Sequence, residues 1–350
     1  MTEPGTASVC IVGAGSTGVL LGHDLSRTGV AITYLVRPHR QKQLSRPQTL
    51  YSYDDGSLKT YSGYDVMIDP AELTGTSFDF VVVTLDGAAL RAEAGKKLVD
   101  EMGRAFRSTP TRVILFSVGV GLRSWFLERS GLADAQVTGG GTGLHVHEAQ
   151  HLALPPRPGV DADLLAEADY AYRRRPLPHD FIVTDSAPQV AHDFAALWDG
   201  NTVSKCAITP TGVYELGLAP LFATFMACEL LDWPSAADVD PADETWQLGI
   251  DARREILRLS MYGPAGRAAS EQLTAEGVLG SFREWEQAML PLDLPEFNRY
   301  HHGGKMNRQD RRLIDDVLRC AEEEGVEMPA LRALTARLRD DASQESGLAP

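Results

Sequence analysis

Gly13, Gly15 and Gly18 stand in the spacing that lets a backbone hold a phosphate. The first glycine permits a tight turn, and the second lets N–H groups approach a pyrophosphate. The third lets a helix pack close to the preceding strand. The motif follows an apolar run, Val9 to Val12, and leads into an amphipathic stretch. A second apolar run, Ala31 to Val36, ends on Arg37. This is the strand–turn–helix–strand context of a dinucleotide fingerprint, in which the helix N-terminus holds the anion. Ser16 and Thr17 open that helix and join the glycines as cofactor-binding candidates. The alternative is a glycine-rich turn with no ligand.

The end of the second strand bears on which dinucleotide is held. An acid there takes the ribose 2′-OH of NAD, whereas Arg accommodates the 2′-phosphate of NADP. No Asp or Glu occurs from Leu25 to Tyr53, but Arg27, Arg37, Arg40, Lys42 and Arg46 do. This basic island runs against a chain of net charge −15. Arg37 offers a planar fork to a phosphate, with Arg40 and Lys42 as helpers. The expected cofactor is therefore NADP(H), and a solvated basic loop is the alternative.

Two further segments concentrate titratable groups. Residues 297–305, Phe-Asn-Arg-Tyr-His-His-Gly-Gly-Lys, bring together Asn298, His301, His302 and Lys305. A histidine can give or take a proton near neutral pH. His301 or His302 is the candidate proton donor, Lys305 an electrostatic anchor for a carboxylate, and Asn298 a substrate-orienting group. A polar, glycine-flexed turn is the bland reading. The second segment, Gly139–His147, follows a predicted strand. Its His145 and His147 point the same way if extended. A pocket wall and a plain surface strand are equal readings, and a metal site lacks the three or four ligands zinc wants.

The pattern of elements must position these groups. Apolar runs at Val9–Val12, Ala31–Val36, Phe80–Leu85, Val113–Phe116 and Gln136–Thr138 alternate with helical stretches such as Leu90–Phe106 and Leu122–Leu132. That alternation predicts a parallel βαβ sheet. Asp55-Gly56, flanked by alternating residues, predicts a hairpin. His151–Arg175 is mixed, with the breaker PPRPG at 155–159 and the triplet Arg173-Arg174-Arg175. Beyond Ser186 the pattern is helical, over 187–198, 212–231, 243–262, 267–288, 306–324 and 329–340. Asp243 is one cap, and Pro329 starts the last helix. The expected fold is α/β: an N-terminal Rossmann-type doubly wound parallel sheet over 1–185, then an all-helical domain over 186–340. Residues 341–350 are expected to form a frayed tail.

Composition narrows the function classes. The chain has 350 residues, enough for two domains, with 43% hydrophobic and 23% charged residues, as in ordinary globular proteins. An acidic balance, with pI near 5.0, argues against nucleic acid. Cys10, Cys206, Cys228 and Cys320 are widely spaced, which fits reduced thiols rather than a disulfide framework or zinc site. The start, MTEPGTAS, lacks a basic n-region and an apolar h-region, so no secretory signal is expected. A cytoplasmic protein without membrane association follows. Leu216–Leu231 contains Pro220 and Glu229 and reads as a buried core helix.

The segments GAGSTG, LVRPHR, the DDG hairpin, FVVVTLDGAAL, VILFSVGVG and RLIDDVLRCAEEEGVEMPAL resemble the ketopantoate reductase family, over nearly the whole chain. The resemblance implies a Rossmann domain followed by a 6-phosphogluconate-dehydrogenase-like helical domain. It also implies NADPH-dependent reduction of a 2-oxo acid in the cleft between them, and a homodimer. It adds Leu85, Val118 and Gly119 to the cofactor-binding candidates.

Several family positions differ. Asp86 stands where the family has Lys, and Val118 precedes Gly119 where it has Asn. Its general-acid Lys falls on Gly200 or on Lys205, depending on register. Its catalytic Glu falls on Gln309 or Asp310. Lys205 is the candidate for protonating an alkoxide, a solvent lysine being the alternative. Asp86 would favour oxidised cofactor or a cationic substrate, and an exposed loop carboxylate is the preferred reading.

These departures argue against ketopantoate as substrate. The expected function is an NADPH-dependent oxidoreductase of a small carbonyl (2-oxo acid-like) or imine compound. Two other classes compete: an NADP(H)-binding sensor or scaffold without turnover, and a non-redox enzyme that lost the dinucleotide.

Overall fold

Runs of Val, Ile and Leu with no polar interruption become parallel strands buried on both faces. In the computed structural model, which describes residues 6–152, 154–155, 157–175, 177 and 179–347, the first such strands are β1 (Ser8–Val12) and β2 (Ala31–Leu35). Around them the chain forms α1 (Ser16–Ser26), α2 (Pro38–Leu44), β3 (Gln48–Ser52), β4 (Ser57–Tyr61), β5 (Asp65–Met67) and β6 (Phe80–Val83). Then come α3 (Gly87–Arg91), α4 (Glu93–Phe106), β7 (Arg112–Leu115), α5 (Leu122–Ser130), β8 (Val137–Thr142) and β9 (His145–Glu148). The series continues through α6 (Ala162–Ala166), β10 (Tyr170–Arg173), β11 (His179–Thr184), α7 (Pro188–Asp199) and β12 (Lys205–Thr209).

Eight strands form one sheet in the order β12-β11-β8-β7-β6-β1-β2-β5. The pairs from β5 to β8 are parallel, and β11 joins β8 antiparallel. β1 shows how both faces are covered. Val9 and Ile11 join a core with α1 and α7 residues, including Leu20, Phe194 and Trp198. Cys10 and Val12 face the other way, into a core with Val99, Met102 and Phe106 of α4 and Phe126 of α5. The doubly wound α/β arrangement expected from the sequence is present.

Four strands form a second sheet, β4-β3-β10-β9, which the sequence pattern does not announce. Only its β3–β4 hairpin was expected, and Gly56 there adopts φ 64°. β10 pairs with β3 from about 120 residues away.

The chain divides after Thr211, not near residue 185. The reason is packing: β11, α7 and β12 belong to the first unit. Phe181 stacks against Trp198 at 4.7 Å and Phe194 at 5.2 Å, and β12 pairs with β11. A short helix, α8 (Thr211–Leu216), leads into the second unit. There follow α9 (Ala219–Leu230), α10 (Glu244–Leu257), α11 (Gly263–Gln272), α12 (Ala275–Met289), α13 (Leu294–Tyr300), α14 (Asn307–Glu324) and α15 (Pro329–Gly347). All the regular elements of that unit are helical among the described residues.

Four long helices expected from periodicity are divided, the 212–231 stretch falling into α8 and α9 with a turn at Gly217-Leu218. Leu90–Phe106 breaks at Ala92, whose ψ of 163° is extended. The 243–262 stretch stops at Leu257, before a 3₁₀ turn at Ser260–Tyr262. The 267–288 stretch is split by Leu273 and Thr274, where Thr274 caps α12. Conversely, α15 runs on to Gly347, through most of the expected tail; residues 348–350 lie outside the described residues. Its start is held by Glu255 of α10, which accepts from the N–H groups of Ala330 and Leu331, each at 2.9 Å. α9 buries residues from Ala219 to Cys228 and crosses α10 closely. A Cβ on Gly249 would lie 2.6 Å from that of Ala227. Thr211–Leu230 is long and apolar enough to cross a membrane by length and composition alone, and half of its most apolar window is buried in the protein.

Candidate functional site

β1 and β2 lie on one side of the sheet's reversal point, and β6 follows on the other side of β1. Doubly wound sheets bind ligands at such a switch point, beyond the strands' carboxyl ends. Val12, Val83 and Leu115 stand level across β1, β6 and β7, so the loops after these three strands emerge side by side.

The glycine loop has the shape its sequence implied. Gly13 adopts φ +104°, donates its N–H to Leu35 O at 3.0 Å, and accepts from Thr84 Oγ1 at 3.2 Å. A Cβ on Gly18 would sit 2.4 Å from Gly13 O, so only glycine allows α1 this close to the loop. Gly15 is different. It is exposed and forms the N-cap of α1 without a side-chain cap, and a Cβ there would meet nothing within 4 Å. The space above Gly15, faced by the uncapped first turn of α1, suits a pyrophosphate. Thr17 is half-buried in that turn. Ser16 is buried, and its hydroxyl donates to Val146 O at 3.3 Å, anchoring the helix start to β9.

The neighbouring loops are braced together. Ser117 Oγ donates to Leu85 O at 2.6 Å, and Arg91 donates to Val120 O at 2.6 Å. Leu85 packs over Gly13, with its Cδ2 3.1 Å from where a Cβ would be. Gly87 leaves room for Val118 O, which a Cβ would approach to 2.3 Å. Val118 and Gly119 thus sit on the loop beside this crevice, both half-buried. Asp86 is not the exposed loop carboxylate preferred from sequence. It is half-buried and caps α3, accepting from Ala89 N at 2.6 Å.

The basic island separates into two groups. Arg27 donates to Asn201 O at 3.2 Å, and Arg46 forms a two-pronged pair with Asp169. Arg40, expected as a phosphate helper, instead donates to Ala14 O at 2.7 Å and to Tyr170 OH at 3.3 Å. It braces the glycine loop against β10. Arg37 and Lys42 remain exposed at the start and in the last turn of α2.

The second unit carries its own constellation. His301–Lys305 form a π-helical turn between α13 and α14, a feature found often at functional sites. His302 is held there by its surroundings. Its ring stacks on Phe225 at 4.1 Å, with Phe222 at 5.8 Å and Trp233 at 6.5 Å. Its Nδ1 lies 2.8 Å from Asp310 Oδ2. Burial lowers the His302 pKa to about 3, so the ring is neutral at pH 7 and Nδ1–H donates to the carboxylate. For the proton-donor role expected of His302, the ring's one N–H is thus the one directed at Asp310.

His301 stacks on Phe297 at 5.3 Å, Asn298 is buried on α13, and Lys305 is exposed. Gln309 is buried, and it is Asp310 that faces a histidine. Asn307 and Arg311 both donate to Glu229 of α9, at 3.2 and 2.6 Å. Asp232 and Trp233, which follow α9, adopt φ 59° and 51°. Left-handed backbone at two consecutive non-glycine residues is stored strain of the kind that clusters at sites. Gly303 admits Trp233: a Cβ there would lie 2.9 Å from its Nε1. Of these groups, Glu229, Trp233, His302, Asn307, Asp310 and Arg311 line a cavity of about 10 Å³ with Phe222 and Phe225. Sequence reading left Asp310 as one of two options and missed Phe225, Trp233, Asn307 and Arg311, because periodicity carries no signal for any of them.

The remaining candidates fall elsewhere. Lys205 does not open a helix; it begins β12, is exposed, and donates to Asp199 O at 3.2 Å. Gly200 ends α7. His145 and His147 lie buried in β9 of the second sheet, not on a surface strand. His147 Nε2 is 3.2 Å from Tyr53 OH. Arg174 is half-buried between Asp24 and Asp180, which outweigh the cost of burial and hold its pKa above the usual value. No group of three or more metal-ligating side chains is gathered among the described residues.

No protein-family model matches the chain, and no curated relative matches it. Solved structures do. The 2-dehydropantoate 2-reductase of Geobacter metallireducens superimposes with TM-score 0.65 at 17% identity, over 95% of this chain and 99% of its own. That of Methylococcus capsulatus gives 0.66 at 14% identity, over 96% and 97%. D-mandelate dehydrogenase, in a ternary structure with NADH and anilino(oxo)acetate, gives 0.63 at 12% identity, over 96% and 98%. The likeness carried by the motifs is thus a shared two-unit fold along almost the entire chain.

Proposed function

We propose that this chain is an NADP(H)-dependent oxidoreductase acting on a small carbonyl, 2-oxo acid-like or imine compound. The observation that carries the reading is the crevice beyond β1, β6 and β7. It combines an open space above Gly15, an uncapped helix start and braced flanking loops. The neighbouring folds are those of 2-dehydropantoate 2-reductases and of D-mandelate dehydrogenase, the latter solved with NADH. NADP(H) is favoured over NAD(H) by the absence of an acid from Leu25 to Tyr53 and by the exposed Arg37 and Lys42. Bound there, the nicotinamide supplies hydride chemistry. The groups that orient substrate are those of the π-turn and its surroundings: Asn298, His301, His302 and Lys305. Of the two positions left open for the similar family's catalytic Glu, Asp310 is the one beside His302. A homodimer in the cytoplasm completes the proposal.

The test is a fluorescence titration of the protein with NADPH and NADH. NADPH should bind at least tenfold tighter, and Arg37→Ala should remove most of that preference, since only NADPH offers a 2′-phosphate. Equal loss for both cofactors would remove the NADP assignment. Binding of neither would leave the glycine loop as a structural relic. A second reading, cofactor binding without turnover, draws on Asp86 serving as a helix cap and on Val118 standing where the similar family has Asn.

A further inference from the structure

The surroundings of His302 in the second unit fix its chemical state. As a carboxylate Asp310 can only accept, and its Oδ2 lies 2.8 Å from Nδ1, so the hydrogen of that contact belongs to Nδ1. Aromatic rings stack on its face and close its edges, and the ring is only 16% exposed, so a second proton would have to be held with little water. Burial opposes that second proton and pulls the ring's pKa down to about 3. Nε2 therefore carries a lone pair, and it makes no hydrogen bond among the described residues. The strained Asp232–Trp233 turn and the π-turn hold the ring in this posture, with Gly303 accommodating Trp233. The cavity at this point is about 10 Å³, on the order of one water, so one heavy atom of a ligand reaches the ring.

We propose that His302, fixed by Asp310 as a positioning residue, is a specificity determinant that accepts a hydrogen bond from its ligand. The ligand's contacting atom is a donor, a hydroxyl oxygen or an amine nitrogen. A carbonyl oxygen, which can only accept, is disfavoured there. The proposal rests on the oxidoreductase reading and deepens it: of the two redox partners, the hydroxy or amino compound is the one this pocket selects.

The test is ¹⁵N NMR of histidine-labelled full-length protein, with the His302 ring assigned by its loss in His302→Asn. The Nδ1–H neutral tautomer is expected at pH 7. Three probes follow, lactate, alanine and pyruvate, which differ only in the group on the second carbon. Lactate or alanine should shift the Nε2 resonance saturably, and whichever does so identifies the donor as hydroxyl or amine. Pyruvate should need at least tenfold higher concentration. Asp310→Asn should erase the tautomer preference and weaken the response to the donor probe about tenfold, with the circular dichroism spectrum retained. A doubly protonated ring at pH 7, a response to pyruvate equal to the others, or no response to any probe would each overturn the proposal. NADPH fluorescence in the same samples reports on the first unit, so failure of the cofactor reading is seen separately.

Discussion

Gly15 and Gly18 make the sharpest contrast at the scale of single residues. Gly18 is required by packing, because a Cβ would strike the Gly13 carbonyl at 2.4 Å, and backbone cannot give way cheaply. Gly18→Ala should destabilise the protein by about 1–3 kcal/mol. Gly15→Ala meets no neighbour and should cost about 1 kcal/mol or less, through the poorer N-cap. It should nevertheless weaken NADPH binding at least tenfold, because the methyl group enters the space above the loop. Thermal unfolding and cofactor titration of the two variants separate the roles; equal effects on both quantities would contradict this. His302 gives a second residue-scale expectation. Its folded pKa lies near 3, below the unfolded value of about 6.5. Between these values the unfolded chain binds the proton and the folded one does not, so stability falls as pH drops through that window. His302→Asn should flatten the stability profile between pH 6.5 and 4.5, as followed by urea unfolding. A slope unchanged by the substitution would place the acid sensitivity elsewhere.

At the scale of elements, Asp86 shows why position alone misleads. A carboxylate after the third long apolar run reads as a loop charge near a cofactor, yet it is tied to the first turn of α3. Asp86→Ala should cost about 1 kcal/mol, and Asp86→Asn much less, because the amide oxygen can still cap. Denaturant unfolding measures both. The same elements show what sequence could and could not reveal. β1, α1 and β2 were legible because glycine geometry, apolar runs and helix entry all agree within the 28 residues from Ser8 to Leu35. The second sheet was not, because β10 finds β3 across a long stretch of chain, and pairing at that distance leaves no local period. α3 and α4 were merged for a related reason: the apolar rhythm continues across Ala92, and the break lies in backbone angles rather than side-chain type. His302 was singled out from the density of titratable groups, but its state depends on Phe225 and Asp310, neither of which its own segment contains.

At the scale of the whole molecule, the division after Thr211 has a direct test. Residues 1–211 include Phe194, Trp198 and Cys206, which complete the core around β11. That fragment should fold and retain cofactor binding, whereas a fragment ending at residue 185 should be largely unfolded by circular dichroism. Two equally folded fragments would show that α7 and β12 are dispensable. The misplaced boundary came from α7, which reads as the first of a helical series when helices are counted without their partners. The expectation of two successive domains was otherwise carried by a change of period that is real.

The pairing of β3 with β10 also sets a timetable during synthesis. The β3–β4 hairpin leaves the ribosome with one edge unpaired, and its parallel neighbour is about 120 residues behind. At roughly 5–20 residues per second, that edge waits on the order of 6–24 s for its partner. During this interval a nascent chain offers a free strand to any neighbour, and a chaperone that shields residues 48–52 would act within that window. Arg46, paired with Asp169 at the head of β10, is positioned to lock the late strand as soon as it arrives.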